Sequence, residues 1–131
     1  MNTWIDVCGL DDLQADSGVC ALVAGRQVAL FYLSKTRQVF AVANFDPIGK
    51  ANVLSRGMIG DLGGEPMLAS PLYKQHYNLK TGACFEYDDI KIDTFPVRID
   101  NNRVAVGIEA EKITKYSSYF AALAAEGVCT C

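Results

Sequence analysis

With 131 residues, half of them apolar, the chain is long enough for one domain with its own core, and no disulfide framework is needed to hold it together. A net charge of −3 provides no basic field for a phosphate backbone, which argues against nucleic acid as a partner and equally against an acidic protein surface. No run approaches about 18 consecutive apolar residues, and the opening MNTWIDV lacks the basic and apolar regions of an export signal, so the expectation is a soluble, cytoplasmic protein with no membrane partner.

Short apolar runs separated by turn residues dominate from Trp4 to Val106 and predict antiparallel β-structure. Thr3 to Val7 reads as a first strand, followed by a polar loop from Asp11 to Gly18. Val19 to Ala24 and Gln27 to Leu33 are the next two strands, with Gly25-Arg26 as the tight turn between them. Gln38 to Ala43 is a further β run. From Ser55 to Glu65 the glycines at 57, 60, 63 and 64 predict loop. Their spacing fits neither a Walker loop nor a dinucleotide fingerprint, so a phosphate cradle is excluded.

Pro66 to Ala69 and His76 to Leu79 read as strands, and Lys80-Thr81-Gly82 as a turn. Phe85, Ile90, Ile92, Phe95, Val97 and Ile99 partly alternate with polar residues, as strands with one buried face do. Asp100-Asn101-Asn102 is a turn, after which Arg103 to Val106 closes the meander. The tail differs in character. Glu109 to Glu126 is rich in helix formers, has no Gly or Pro, and places Ile113, Tyr116, Phe120, Leu123 and Ala124 on one stripe ahead of a Gly127 stop. Such a C-terminal helix is marginal alone, so it is expected to dock on this domain or on a partner.

The residues offer no catalytic constellation. A hydrolase needs a Ser or Cys paired with a His and an orienting acid, and His76 is the only histidine. A zinc site needs about four Cys or His ligands, which the chain does not gather. The five cysteines are odd in number and scattered through apolar runs, as reduced core thiols are. Cys129 and Cys131 alone make an incomplete metal or redox site.

The informative stretch is 44–82, NFDPIGKANVLSRG followed by SPLYKQHYNLKTG. A Rieske [2Fe-2S] site takes two thiolates and two imidazoles from two loops, one Cys-x-His and the other Cys-x-x-His. Asn44, Pro47, Leu54, Ser55 and Gly57 match the frame of the first loop, and Pro71, Tyr77, Leu79, Thr81 and Gly82 match or nearly match that of the second. The four ligand positions hold Asp46, Ile48, Ser70 and Tyr73, and the first loop is one residue longer between Ile48 and Leu54.

Together with Trp4, Asp6 and Cys8, the run Gly18 to Leu22 and the run Val53 to Gly57, this pattern resembles the small subunit of assimilatory NAD(P)H-dependent nitrite reductase, a Rieske-like domain without its cluster ligands. The resemblance covers 1–107 and implies an all-β, Rieske-like (ISP-type) antiparallel sandwich or barrel; it stops there, leaving 108–131 as the helical extension already read from the tail's composition. It further implies a subunit of an oxidoreductase that reduces nitrite to ammonium in nitrate assimilation. No cofactor is expected in this chain; FAD, an iron–sulfur cluster and sirohaem would belong to the large subunit, its partner. With no residue assigned to catalysis, cofactor or metal, Asp46, Ile48, Ser70 and Tyr73 become vestigial positions.

Voids in interiors are costly, so Ile48 and Tyr73 are expected inside, filling the vacated volume. Asp46 and Ser70 are expected to accept backbone N–H bonds in Asx-type turns. Phe45, Pro47, Pro71 and Leu72 would form an apolar tip for partner binding. Two other readings stay open from residues alone: a freestanding Rieske-like interaction module, and an electron carrier with an unusual metal site.

Overall fold

β3 (Arg26–Leu33) is the strand on which both halves of the molecule pack, and its sequence RQVALFYL explains why. A strand covered on both faces reads as a continuous apolar run, and Val28, Ala29, Leu30 and Phe31 are all fully buried. The structure, a computed structural model, describes residues 2–109; the expected tail helix lies outside them. β3 is flanked by β2 (Gly18–Val23) and β4 (Gln38–Ala43), and the short β10 (Thr94–Phe95) extends the sheet in the order β10-β4-β3-β2.

A second antiparallel sheet, β1-β12-β11, joins β1 (Asn2–Gly9), β12 (Arg103–Glu109) and β11 (Val97–Asp100). Between the two sheets lies an apolar core of Val7, Val28, Leu30, Val104, Val106 and Ile108. On the opposite face of β3, Ala29 and Phe31 join Val42, Leu54, Leu68, Tyr77 and Leu79 in a second core. That second core carries the loop-rich part of the molecule. It is roofed by β7 (Met58–Leu62), β8 (Glu65–Ala69) and β9 (His76–Asn78), and by the two-stranded β5 (Phe45–Asp46) and β6 (Ala51–Asn52). The all-β antiparallel expectation therefore holds for the described residues.

Two local readings are corrected. The β2–β3 turn is Ala24-Gly25, one residue earlier than expected, because Val23 pairs with Arg26 and both turn residues take positive φ, 49° and 78°. The Gly-rich 55–65 stretch contains a strand: β7 pairs with β8 from Met58↔Ala69 to Leu62↔Glu65. Gly63 and Gly64, at φ 62° and 88°, supply the two-residue hairpin turn instead of breaking regular structure. The Asn101-Asn102 turn is where the sequence places it, with positive φ at both residues and Asp100 paired with Arg103.

Cys8 and Cys84 are free and buried, as expected of reduced core thiols, whereas Cys20 is disulfide-bonded, which corrects that expectation there. Burial pushes the Cys8 thiol up to about 11, so at neutral pH it behaves as a small hydrophobe.

Candidate functional site

The two loops that carry the candidate positions leave the second core side by side. The first runs from Asn44 through the β5–β6 hairpin to the 3₁₀ turn Leu54–Arg56, and the second runs from Ser70 to Gln75 between β8 and β9. Buried Asn44 anchors the base of the first. Its Nδ2 donates to Gln27 Oε1 at 3.0 Å, its Oδ1 accepts from Ser55 N at 2.7 Å, and its carbonyl accepts from Leu54 N at 3.0 Å. Asn78 plays the same part beyond the second loop, accepting from the backbone N–H groups of Lys80 and Thr81.

The loops meet at the side chain of Asp46, which is fully buried. Its Oδ1 accepts from Ile48 N at 3.0 Å, from Gln75 Nε2 at 2.7 Å and from the Tyr77 hydroxyl at 3.0 Å. Its Oδ2 accepts from Ser70 Oγ at 2.6 Å. Ser70 Oγ in turn accepts from Leu72 N, and Gln75 Nε2 also reaches the Tyr77 hydroxyl at 3.2 Å. The Asx-type turn expected at Asp46, and its Ser70 counterpart, are thus both present.

A charge in an apolar interior is costly unless it is hydrogen-bonded. Here burial raises the Asp46 carboxyl, but the bonds from Ser70, from the backbone of Gly49 and Ile48 and from Tyr77 outweigh it and hold the group below its ordinary 3.8. Asp46 is therefore a carboxylate at neutral pH. Burial drives the Tyr77 phenol well above its usual range, keeping it a neutral donor. Gly49 makes the close approach possible: a Cβ there would lie 2.5 Å from Leu72 Cδ1 and 3.0 Å from Asp46 Oδ2.

Asp46 and Ser70, expected at thiolate positions, are buried and bonded to each other. Ile48 is half-buried and packs against the second core. Tyr73 corrects its expectation, being 70 % exposed. The aromatic ring that occupies the interior between the loops belongs to Tyr77, which brings an apolar body to the second core and a hydroxyl to Asp46. Of the expected tip, Phe45 and Leu72 are exposed and Pro47 and Pro71 half-buried. Sequence reasoning missed Gln75 and the bond from Tyr77. The signal available was an aromatic at the second-loop frame position with a glutamine two residues before it.

His76 opens β9, half-buried, with Nδ1 on Glu86 Oε2, while His76 N–H donates to Glu86 Oε1 at 2.7 Å. Among the described residues no His, Cys, Asp and Glu group of three or more could hold a metal ion.

The chain matches the Rieske-like [2Fe-2S] domain family over residues 3–107. It is 40 % identical to the nitrite reductase (NADH) small subunit of Escherichia coli strain K12, over 79 % of this chain and 96 % of that protein. The solution structure of the nitrite reductase [NAD(P)H] small subunit from Erwinia carotovora shares 39 % identity, with a TM-score of 0.71 over 81 % of this chain and 82 % of that one. A nitrite reductase [NAD(P)H] large subunit from Klebsiella oxytoca contains a stretch 41 % identical to 79 % of this chain, a stretch that makes up 11 % of that longer protein.

Proposed function

The chain belongs to the Rieske-like [2Fe-2S] domain family and, within it, to the small subunits of NADH nitrite reductase, and from that premise we propose that it is a non-catalytic subunit that docks on the large subunit and supports its reduction of nitrite to ammonium in the cytoplasm. In this reading the flavin, iron–sulfur and sirohaem groups belong to the partner, and this chain contributes a shaped surface.

The observation that carries the proposal is the Asp46 knot. A [2Fe-2S] cluster takes thiolate and imidazole ligands, and the donor set at the four matched positions does not fit it. Ile48 has no donor atom, Tyr73 points a phenol to solvent, and Asp46 and Ser70 spend their oxygens on each other and on neighbouring N–H and O–H groups. Hydrogen bonds do here what iron would otherwise do, tying one loop to the other. The Klebsiella oxytoca relative supports the partner, since a stretch like this chain shares one polypeptide with the rest of a large subunit there.

The test is to purify the small subunit without oxygen and then mix it with the large subunit of its own nitrite reductase. The expected result is a folded, colourless, iron-free protein that forms a complex and raises or stabilises nitrite-dependent NADH oxidation. Stoichiometric iron with a visible charge-transfer spectrum, or no complex at all, would overturn the reading.

A further inference from the structure

The net charge of the chain is negative, yet the face formed by the two tip loops is not. Residues 44–58 and 70–75 contain Lys50, Arg56 and Lys74, all exposed, against a single carboxylate, Asp46, which is buried within the knot. Among the described residues none of these three cations makes an ion pair, whereas Arg26, Lys80 and Arg103 each have one. Glu86, on the flank beside β9, is taken up by His76.

The same segments also expose apolar side chains. Phe45 is 46 %, Leu72 45 % and Tyr73 70 % exposed, and Met58, paired with Ala69 immediately before the second loop, is 74 % exposed. Gly49 lies against Leu72, which brings Lys50 and Lys74 to the same end of the molecule. Arg56 and Met58 flank Gly57, whose α-carbon sits so close to Ala69 that a Cβ would fall 2.4 Å from its carbonyl oxygen.

The backbone gives a second, independent indication. Lys50 and Lys74 sit at φ 56° and 64°, a conformation that Gly or Asn adopts at lower cost than a long side chain. Lysine is the poorer local choice at both positions, and neither charge has an ion-pair partner among the described residues to offset that cost.

We propose that the tip docks on a surface of the large subunit whose rim is acidic and whose centre is an apolar recess for Tyr73 and Leu72, with Lys50, Arg56 and Lys74 facing the acidic rim. An aromatic anchor ringed by charge is how many small interfaces combine affinity with orientation. This rests on the docking reading above and assigns the face and the chemistry of its partner. It also reverses, locally, the inference from net charge that an acidic protein surface is disfavoured.

The experiment is titration of the wild-type small subunit and its variants against the holo large subunit at low and high salt. Lys50→Asn combined with Lys74→Asn removes two charges while easing both left-handed backbones, so thermal stability should hold or rise. Affinity at low salt should nevertheless fall about tenfold, and the salt dependence should flatten. Tyr73→Ala should weaken binding about tenfold or more at both salt concentrations, with melting unchanged. Wild-type complex formation with all these variants binding like wild type would overturn the face while leaving the docking reading intact. Absence of any wild-type complex would overturn the docking reading itself.

Discussion

The two cores on either side of β3 are closed by different forces. The core between the sheets is lined throughout by side chains such as Val7, Leu30, Val104 and Ile108, and dispersion and water exclusion hold it without directional demands. The core beneath the site loops begins in the same way, with Phe31, Leu54 and Leu68, but ends in a buried carboxylate that collects donors from both loops. Apolar packing fixes where a strand lies. The Asp46 hydrogen bonds fix how two irregular segments face one another, and loops that must present a defined surface need the second kind of constraint.

The largest effect that would sharpen this contrast is at Tyr77, which belongs to both systems. Tyr77→Ala should lower unfolding free energy by about 3 to 5 kcal/mol in a denaturant titration, as aromatic core truncations do. A loss below about 1 kcal/mol would mean that the ring does not close the second core.

Asp46→Ala should cost less overall, about 1 to 3 kcal/mol, because it strands buried donors without opening a large void. Its signature is location: amide exchange should rise in residues 44–58 and 70–75 and stay unchanged in β1 and β12. Uniform acceleration across both sheets would dissolve the distinction between the halves. The charge adds a pH test. Because the folded carboxyl titrates below its ordinary 3.8, its contribution is present above about pH 4 and is lost as pH falls through the folded value. Wild type should therefore lose stability between about pH 5 and pH 2 more steeply than Asp46→Asn.

The smallest effect is at Tyr73. Tyr73→Ala should change stability by no more than about 0.5 kcal/mol, as exposed substitutions do. A loss of several kcal/mol would restore the expectation that this ring fills the interior.

Much of the site's outline was legible because it is written in local chemistry. Asn44 reaches back to Gln27 and on to Ser55, and Gly57 abuts Ala69, but Thr81 and Gly82 bond within four residues, to Ala83 and Asn78, so the roles of these two follow from spacing. The Asx-type turns at Asp46 and Ser70 are of the same kind. The exchange of Tyr73 for Tyr77 as the interior ring was not legible. Both are tyrosines in the same loop region, and only the turn at Lys74 and the start of β9 decide which one points inward. β7 was hidden for a related reason, since glycines that supply a hairpin turn look the same in sequence as glycines that break a strand.

By itself, then, the sequence determined an antiparallel β-domain with an acidic average charge and two Rieske-like loops whose matched ligand positions hold Asp46, Ile48, Ser70 and Tyr73. Composition, periodicity and short-range turn chemistry are properties of neighbours along the chain. Tertiary structure decided that Asp46 reaches Ser70, Gln75 and Tyr77, 24 to 31 residues away, and that Gly49, next to Lys50, lies against Leu72 of the second loop. Hydrogen bonds and surface charge patterns depend on distances in space, and these exist only once β3 has brought the two loops to the same end of the fold.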